Sequence, residues 1–227
     1  MKKKKAVVLL SGGIDSATVL ALVVNKMKYS ANVITIDYHQ KNRFEIEASK
    51  KIVRSFNLKN HIILQINMNE IGGSALTSNK IDIPEGKSNR EDIPVTYVPA
   101  RNMIFLSLAV AWAEVIDSQD IFYGANNIDY SGYPDCRPEF ISAFERATNL
   151  GTKAGIDKKH IKINSPLIDM TKAQIIKLGV KYGVDYSLTF SCYNPDSNNR
   201  SCGKCDSCII RKKAFLKANV KDPTIYA

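Results

Sequence analysis

The stretch KAVVLLSGGIDSAT, residues 5–18, decides the fold of this chain. Residues 5–10 form a short apolar run, which is typical of a strand that is buried on both faces. A Ser-Gly-Gly turn follows, and from Asp15 to Met27 apolar side chains return at helical spacing. A strand that leads through a glycine turn into a helix predicts the first half of a βαβ unit.

The same alternation of strands and helices continues along the chain. Further strands are predicted at residues 32–37, 62–66, 120–124 and 161–164, and further helices at residues 43–56, 102–115, 136–150, 172–182 and 206–218. Strands separated by helices of this length pair in parallel through right-handed crossovers. We therefore predict an α/β fold with a Rossmann-like, doubly wound parallel sheet.

Two segments depart from this alternation. Residues 71–96 are rich in Gly, Ser and Pro, and an irregular insertion of that length is typical of a lid or a binding loop. Beyond residue 188 the pattern is dominated by cysteines. We therefore predict one α/β domain over residues 1–188 and a small C-terminal metal-binding segment over residues 189–227.

Composition and charge exclude several classes of protein. The 227 residues are 44% hydrophobic and 24% charged, which suits a globular domain with a small appendage. No apolar run approaches the roughly 18 residues that span a bilayer, and residues 6–10 are too few for a signal peptide, so we expect a cytoplasmic protein without a membrane partner. The net charge is +10, but the basic residues are scattered, which favours small anionic substrates over nucleic acid.

The glycine turn at residues 11–13 lies where a parallel sheet presents strand C-termini and a helix N-terminus, the usual ligand position in such sheets. Backbone N–H groups there, with the hydroxyls of Ser11 and Ser16, can hold phosphate oxygens. Asp15 suits a helix-start carboxylate or a magnesium ligand better than a phosphate contact. A glycine turn that is merely capped by Ser and Asp is the structural alternative.

The spacing of this turn matches neither the Walker P-loop nor the dinucleotide-binding fingerprint. It resembles instead the S-G-G-x-D-S loop of the PP-loop ATP pyrophosphatase superfamily, which implies activation of a carbonyl oxygen as an adenylate with release of pyrophosphate. Arg101, in Val98-Pro-Ala-Arg-Asn102, opens a predicted helix and could neutralise the charge that develops on the phosphates. A surface arginine is the alternative interpretation.

The five cysteines are unevenly spread: Cys136 stands alone, while four cluster near the C-terminus with the spacing C-x9-C-x2-C-x2-C. In a reducing compartment such a cluster indicates metal binding rather than disulfides. Four thiolates suit structural zinc, and an iron–sulfur cluster is the less favoured alternative. The predicted zinc ligands are Cys192, Cys202, Cys205 and Cys208.

The segment DYSGYPDCRPEF, residues 129–140, mixes carboxylates, aromatic rings and an arginine. Such a set can stack on a flat heterocycle, accept hydrogen bonds from its N–H groups and hold a substrate carboxylate. An Asp/Pro/Gly loop that enters a helix is an equally good account of the composition alone.

These motifs together resemble the 7-cyano-7-deazaguanine synthase family of the PP-loop superfamily, from about Ala6 to about Phe215. The resemblance implies conversion of 7-carboxy-7-deazaguanine and ammonia to the nitrile through two successive adenylated intermediates, on the route to queuosine. It also implies ATP with Mg²⁺, a structural zinc ion, free ammonium as the nitrogen donor and a homodimer.

Matching positions carry the family's site residues onto this chain. The ATP-binding stretch comprises Val8, Leu9, Leu10, Ser11, Gly12, Gly13, Ile14, Asp15, Ser16, Ala17 and Thr18. The predicted catalytic residues are Asp15, Ser16 and Arg101. The predicted substrate-binding residues are Asp129, Tyr130, Asp135, Cys136 and Arg137.

The chain departs from the family pattern at four positions. It has Ala17 where Thr is usual, and Ala100 and His39 where Gly is usual; Asn42 replaces a histidine. None of these positions is a phosphate-loop glycine or a predicted metal ligand. Two other functions stay open on sequence alone: an enzyme that stops at the amide or adenylates another carboxylate, and an RNA-thiolating protein with a zinc knuckle.

Overall fold

The computed structural model describes residues 3–78, 80–86, 93–126, 128 and 133–227. Within these ranges one parallel sheet is formed by β1 (Lys5–Leu9), β2 (Ser30–Asp37), β3 (His61–Gln65), β4 (Asp120–Phe122) and β5 (Lys162–Asn164). The strand order is β3-β2-β1-β4-β5, and every pairing is parallel. The chain therefore winds outward in both directions from β1, which confirms the predicted doubly wound fold.

Helices follow most strands, close to where the sequence predicts them. They are α1 (Ile14–Ala21), α2 (Phe44–Ser55), α3 (Arg101–Val115), α4 (Pro138–Gly151), α5 (Lys153–Ile156), α6 (Lys172–Lys181) and α7 (Asp206–Ala218). The helix predicted from Asp15 to Met27 changes its winding midway, because residues Leu22–Lys26 form a π-helical turn after α1.

The helix predicted over residues 136–150 is also interrupted. A 3₁₀ turn covers Pro134–Cys136, Arg137 is extended, and α4 begins only at Pro138. A proline fits the first position of a helix and pushes the preceding residue out of the helical conformation, which explains the break. The short helix α5 was not predicted.

Two hydrophobic cores lie on the two faces of the sheet. Neighbouring residues of β1 point to opposite faces, since Val8 belongs to the core under α1, α6 and α7, and Val7 to the core under α3 and α4. Phe215 of α7 is 1% exposed within the first of these cores. The last helix is thus anchored on the same core as the phosphate loop, while the predicted division at residues 188 and 189 stays a prediction.

The insertion at residues 71–96 forms turns in the parts that the structure describes, without a helix or strand there. It is nevertheless attached to the rest of the chain. Ala75 N–H donates to the carbonyl of Val95 (2.8 Å), and Gly86 N–H donates to the carbonyl of Lys204 (2.9 Å) in the cysteine-rich segment. Among the described residues, no helix combines the length and apolar character that crossing a bilayer requires.

Candidate active site

A cavity of about 260 Å³ opens at the carboxyl ends of β1, β2 and β4. This is the point where the strand order reverses, and ligands bind there in open α/β sheets. The cavity is lined by residues of the phosphate loop (residues 11–16) and by Arg101 and Cys136. The structure therefore brings together three separate predictions that lie far apart in the sequence.

The phosphate loop presents hydroxyl and N–H groups to this cavity. Ser11 N–H donates to Ser16 Oγ (3.2 Å), Gly13 N–H donates to Ser11 Oγ (3.3 Å), and the two hydroxyls lie 3.1 Å apart. The first N–H groups of α1 have no acceptor within the helix. The residues of the predicted ATP-binding stretch that line the cavity are Leu9, Leu10, Ser11, Gly13, Ile14, Asp15 and Ser16.

The other predicted members of the stretch support the loop from behind. Gly12 has φ +91°, and a Cβ there would lie 2.3 Å from the carbonyl oxygen of Glu45. Thr18 is buried in α1, where its hydroxyl donates to the carbonyl of Ile14 (2.9 Å) and lies 2.8 Å from the hydroxyl of Tyr186. Val8 and Ala17 are fully buried as well, so these four positions shape the loop without lining the cavity.

Asp15 joins the loop to α6. Its Oδ2 accepts from Lys172 Nζ at 2.5 Å, whereas its Oδ1 is buried without a hydrogen-bond partner. Thr171 and Gln174 form a capping box that starts α6 and fixes Lys172 in its first turn. A buried carboxylate oxygen that lacks a partner, beside the loop predicted to bind phosphate, is a donor that fits a magnesium ion.

Arg101 begins α3 and faces the cavity. Ala100 before it has φ +53°, so the chain turns sharply through a left-handed residue into the helix. The guanidinium lies over the ring of Tyr38, with 5.9 Å from Cζ to the ring centroid. Burial alone would lower the pKa of Arg101, but the phenols of Tyr38, Tyr133 and Tyr193 raise it overall, so the side chain stays cationic.

Glu45, in the first turn of α2, lines the cavity beside this arginine. Burial raises the pKa of Glu45 to about 7, although the positive charge of Arg101 opposes the rise. Burial also raises the pKa of Tyr38 to about 12, again against the effect of Arg101. The cavity therefore holds a permanent cation, a neutral phenol and a carboxyl group that titrates near neutral pH.

The predicted substrate-binding residues divide into three groups. Cys136 lines the cavity, and its sulfur accepts from Asn102 Nδ2 at 3.3 Å. Asp135 is buried behind it, where Oδ2 accepts from Asn102 N–H (2.9 Å) and Oδ1 from Asn102 Nδ2 (3.2 Å). Arg137 is exposed, and its Nε donates to the carbonyl of Pro134 (3.3 Å). Asp129 and Tyr130 lie outside the described residues.

Asp135 therefore stabilises the start of α3. Both of its oxygens bind the second residue of α3, and a carboxylate at a helix N-terminus also interacts favourably with the helix dipole. Through this contact Asp135 fixes the start of the helix that carries Arg101. Burial raises the pKa of the neighbouring Cys136 to about 11, with Asp135 adding to the rise, so the thiol is neutral at pH 7.

The four C-terminal cysteines converge on one point. The sulfur atoms of Cys192, Cys202, Cys205 and Cys208 all lie within 4.8 Å of one another. Four thiolates around zinc at about 2.3 Å would be about 3.8 Å apart, so the cluster is close to a tetrahedral shell. Cys202 N–H donates to Cys192 Sγ (3.2 Å) and Cys205 N–H to Cys202 Sγ (3.4 Å), as in a metal-binding turn. The cluster can therefore hold a metal ion.

The four-cysteine cluster adjoins the cavity. Ser191 and Tyr193, on either side of the first cysteine ligand, line the cavity, and Ser207 and Arg211 of α7 do so as well. Asn42 links the cluster to α2, because its Nδ2 donates to the carbonyl of Cys192 (2.7 Å) and its Oδ1 accepts from Phe44 N–H (2.9 Å). A metal in the cluster would thus fix one wall of the cavity.

The sequence matches the family described as "Queuosine biosynthesis protein QueC" over residues 5–219. The chain belongs to this QueC family. It is 56% identical over 224 residues to a 7-cyano-7-deazaguanine synthase of Hydrogenovibrio crunogenus, with 99% of this chain and 96% of the relative covered. It is 53% identical to the enzyme of the same name from Pseudomonas fluorescens, with all of both chains covered.

Solved structures with low sequence identity share the fold of this QueC family member. One is described as a predicted subunit of tRNA methyltransferase from Methanocaldococcus jannaschii, with a TM-score of 0.51, 13% identity and coverage of 99% of this chain and 92% of that chain. Another is NMN synthetase from Francisella tularensis, with a TM-score of 0.51, 14% identity and coverage of 97% and 79%.

Sequence reasoning missed Lys172, Tyr38 and Glu45, although each carried a signal. Tyr38 directly follows β2 and Lys172 opens a helix after β5, so both stand at the carboxyl edge of the sheet. Glu45 lies at helical spacing from the buried Ala48, Ser49 and Ile52 of α2. A carboxylate on the buried face of a helix is the kind of residue that functional sites contain.

Proposed function

We propose that this chain converts 7-carboxy-7-deazaguanine, ammonia and ATP into 7-cyano-7-deazaguanine, with release of AMP and pyrophosphate, as a step of queuosine biosynthesis. The observation that carries the proposal is the match to enzymes of that name at 53–56% identity along nearly the whole of both chains. The cavity supports it, because the predicted phosphate-binding loop and the cationic Arg101 line the same space.

The phosphate loop is the part of the cavity that would bind ATP. Ser11 and Ser16 offer hydroxyls, and the N-terminus of α1 offers N–H groups and the positive end of the helix dipole to the phosphates. Asp15 would hold Mg²⁺ through its unpartnered Oδ1, and the ion would supply positive charge to the pyrophosphate. Lys172 fixes the orientation of Asp15.

The reaction needs adenylation because a carboxylate is a poor electrophile whose leaving group would be an oxide. Attack of the substrate carboxylate on the α-phosphorus of ATP turns that oxygen into part of AMP, which leaves readily. The loop holds the departing pyrophosphate, and Arg101 neutralises negative charge from the opposite wall. Enclosure by the walls of the cavity keeps the reactants together and limits hydrolysis of the adenylate.

The same site can act a second time on the amide. The amide oxygen is adenylated in the same way, with loss of one nitrogen-bound proton, and loss of AMP together with the second nitrogen-bound proton gives the nitrile. Cys136 and Tyr133 line the cavity opposite the loop and are the described residues of the predicted substrate segment that are placed to contact the heterocycle. Asp135 would act indirectly, through its hold on Asn102 and the start of α3.

The metal of the cysteine cluster is proposed to be structural zinc. Four thiolate ligands leave no open coordination position for a substrate, and adenylation requires no electron transfer. Zinc would join residue 192 to the start of α7 and so fix the wall that carries Tyr193 and Arg211. We further propose free ammonium as nitrogen donor and action as a homodimer, in line with the family resemblance, and a cytoplasmic location, which the sequence predicts.

Mass spectrometry of the products tests this proposal. The purified chain is incubated with 7-carboxy-7-deazaguanine, ATP, Mg²⁺ and ammonium, and in parallel with glutamine as the sole nitrogen source. We expect the nitrile with ammonium and no conversion with glutamine. Accumulation of the amide without nitrile would restrict the enzyme to the first half of the reaction, and no conversion at all would refute the proposed substrate.

A further inference from the structure

Both halves of the proposed reaction require a base. When ammonia attacks the first adenylate, the nitrogen must lose a proton as the C–N bond forms and the bond from carbon to the AMP oxygen breaks. When the adenylated amide becomes the nitrile, N–H electrons form the new C–N π bond and AMP leaves again. Each proton needs an acceptor inside the cavity, where water is restricted.

The cavity offers few groups that can accept it. Asp15 is paired with Lys172 through one carboxylate oxygen, and its other oxygen is the proposed magnesium ligand. Arg101 keeps its proton, and Arg211 donates to Asp222 Oδ1 (3.0 Å) and Thr189 Oγ1 (2.9 Å). Among the described cationic and acidic residues of the cavity wall, this leaves Glu45.

The neutral groups of the wall are poor acceptors at pH 7. Burial raises the pKa of the Cys136 thiol to about 11 and that of the Tyr38 phenol to about 12. Burial also raises the pKa of Tyr123, whose hydroxyl has no hydrogen-bond partner. Cys136, Tyr38 and Tyr123 therefore carry their protons near pH 7 and do not serve as the base.

Glu45 is held in place by its own backbone. Its carbonyl oxygen packs so closely against Gly12 of the phosphate loop that a side chain at position 12 would clash with it. Asn42 links the start of the same helix to the cysteine-rich segment by hydrogen bonds to Cys192 and Phe44. The side chain of Glu45 lines the same cavity as the loop and Arg101, and it feels the positive charge of Arg101. The adenylated carbon would lie in this region if the phosphates bind the loop and the substrate contacts Cys136.

We propose that Glu45 is the general base of both halves of the reaction, accepting the proton that the nitrogen loses as each AMP departs. In the first half the proton passes from the attacking nitrogen to a carboxylate oxygen of Glu45, and the N–H electron pair stays on nitrogen as its lone pair. In the second half the proton takes the same route, but the N–H electron pair becomes the new C–N π bond as the C–O bond to AMP breaks. Glu45 returns the proton to water once AMP has left. The inference rests on the proposed function, since it assigns a residue to that reaction.

The second half-reaction gives the sharpest test. Ammonia is not a reactant there, so the protonation of ammonia does not affect the pH profile of the rate. The holoenzyme is mixed with the amide, ATP and Mg²⁺ in single turnover, and pyrophosphate and nitrile are both followed across the range of about pH 5 to 9. For the native enzyme, nitrile formation should rise with pH through about 7, since the base must be deprotonated. The rise should then level off.

Glu45→Gln should lower nitrile formation about 100-fold and remove this rise, while pyrophosphate release changes by less than about tenfold. The adenylated amide should therefore accumulate and be visible by mass spectrometry after quenching. Glu45→Asp keeps a carboxylate and should retain the rise with a reduced rate. Glu47→Gln is the matched control, because Glu47 lies on the same helix but is exposed and paired with Lys50.

Equal losses of pyrophosphate and nitrile in Glu45→Gln would overturn the assignment, and so would an unchanged pH profile. Circular dichroism and metal content establish that the variant is folded; if Glu45→Gln does not fold, Glu45→Asp decides through its pH profile. A native enzyme that releases no pyrophosphate with either the acid or the amide would refute the proposed function itself, which is a different outcome from failure of Glu45 alone.

Discussion

The phosphate loop and the segment around residues 133–137 were both identified from short motifs, but they differ in how many of their residues line the cavity. The loop places four of its polar or backbone groups, at Ser11, Gly13, Asp15 and Ser16, on the wall of the cavity. The other segment places Tyr133 and Cys136 there, buries Asp135 and leaves Arg137 in solvent. The loop could be placed at the cavity because its backbone geometry follows from its motif, whereas composition alone does not specify which way a side chain points.

Asp15→Asn should have the largest effect on activity. It keeps the size of the side chain but removes the charge that would hold Mg²⁺ and that pairs with Lys172. We expect pyrophosphate release to fall by about 100-fold or more. The matched control is Asp117→Asn on the surface, where the left-handed backbone (φ +54°) tolerates Asn. Native-like pyrophosphate release by Asp15→Asn would remove the residue from the mechanism.

Cys205→Ser should have the largest effect on stability. It removes one of four thiolates and with it the metal, and we expect the free energy of unfolding to fall by about 3–5 kcal/mol. Cys136→Ser is the natural comparison, since Cys136 is the buried cysteine outside the cluster. Elemental analysis should show metal in that variant and none in Cys205→Ser. Equal metal content in the two would contradict the predicted ligand set.

Gly12→Ala tests whether the loop needs the close backbone approach between residue 12 and the carbonyl of Glu45. The new Cβ would clash with the carbonyl oxygen of Glu45, and the alanine would have to keep a strained positive φ. We therefore expect the free energy of unfolding to fall by about 2–4 kcal/mol. Gly72→Ala also has positive φ but open space around it, and should cost only about 1 kcal/mol. Denaturant unfolding measures both; equal costs would show that the close approach at Gly12 is unimportant.

Asp135→Asn should act through α3 rather than through direct contact with substrate. One of its two acceptor oxygens becomes a donor, and we expect about 1–2 kcal/mol of lost stability. The KM for the deazaguanine substrate and kcat should both change because Arg101 shifts with the helix start. A large rise in KM without any change in thermal stability would instead indicate direct substrate contact.

Arg137→Ala should have the smallest effect. Its side chain is exposed and makes only a local bond to Pro134. We expect the unfolding free energy to change by less than about 0.5 kcal/mol and kcat/KM by less than about twofold. A tenfold rise in KM would show that Arg137 binds substrate after all and that the segment acts as a unit.

The fold could be predicted from the sequence because short apolar runs mark the strands and apolar residues at helical spacing mark the helices between them. The last helix was predicted with the same ends that the structure shows, Asp206 and Ala218. Small misplacements occurred where local geometry intervenes, as at Pro138. Two of the left-handed residues, His39 (φ +58°) and Ala100 (φ +53°), stand where the family pattern has Gly, so the backbone keeps the conformation that favours Gly although the residues differ.

The site was predicted in part because some of its groups are local and others are not. The phosphate loop is contiguous, and the cysteine spacing reveals its cluster directly. Glu45 and Glu47 look alike in sequence, but they lie two residues apart on α2 and so face opposite directions, one into the cavity and the other into solvent. Lys172 reaches Asp15 across 157 positions, a contact that no local pattern could indicate.

Release of AMP by the native, fully metallated protein is the measurement that tests the central claim most directly. With 7-carboxy-7-deazaguanine, ATP, Mg²⁺ and ammonium present, the account predicts AMP and pyrophosphate in equal amounts, and neither product when the acid is left out. Formation of ADP and phosphate, or no nucleotide turnover with every reactant supplied, would contradict it.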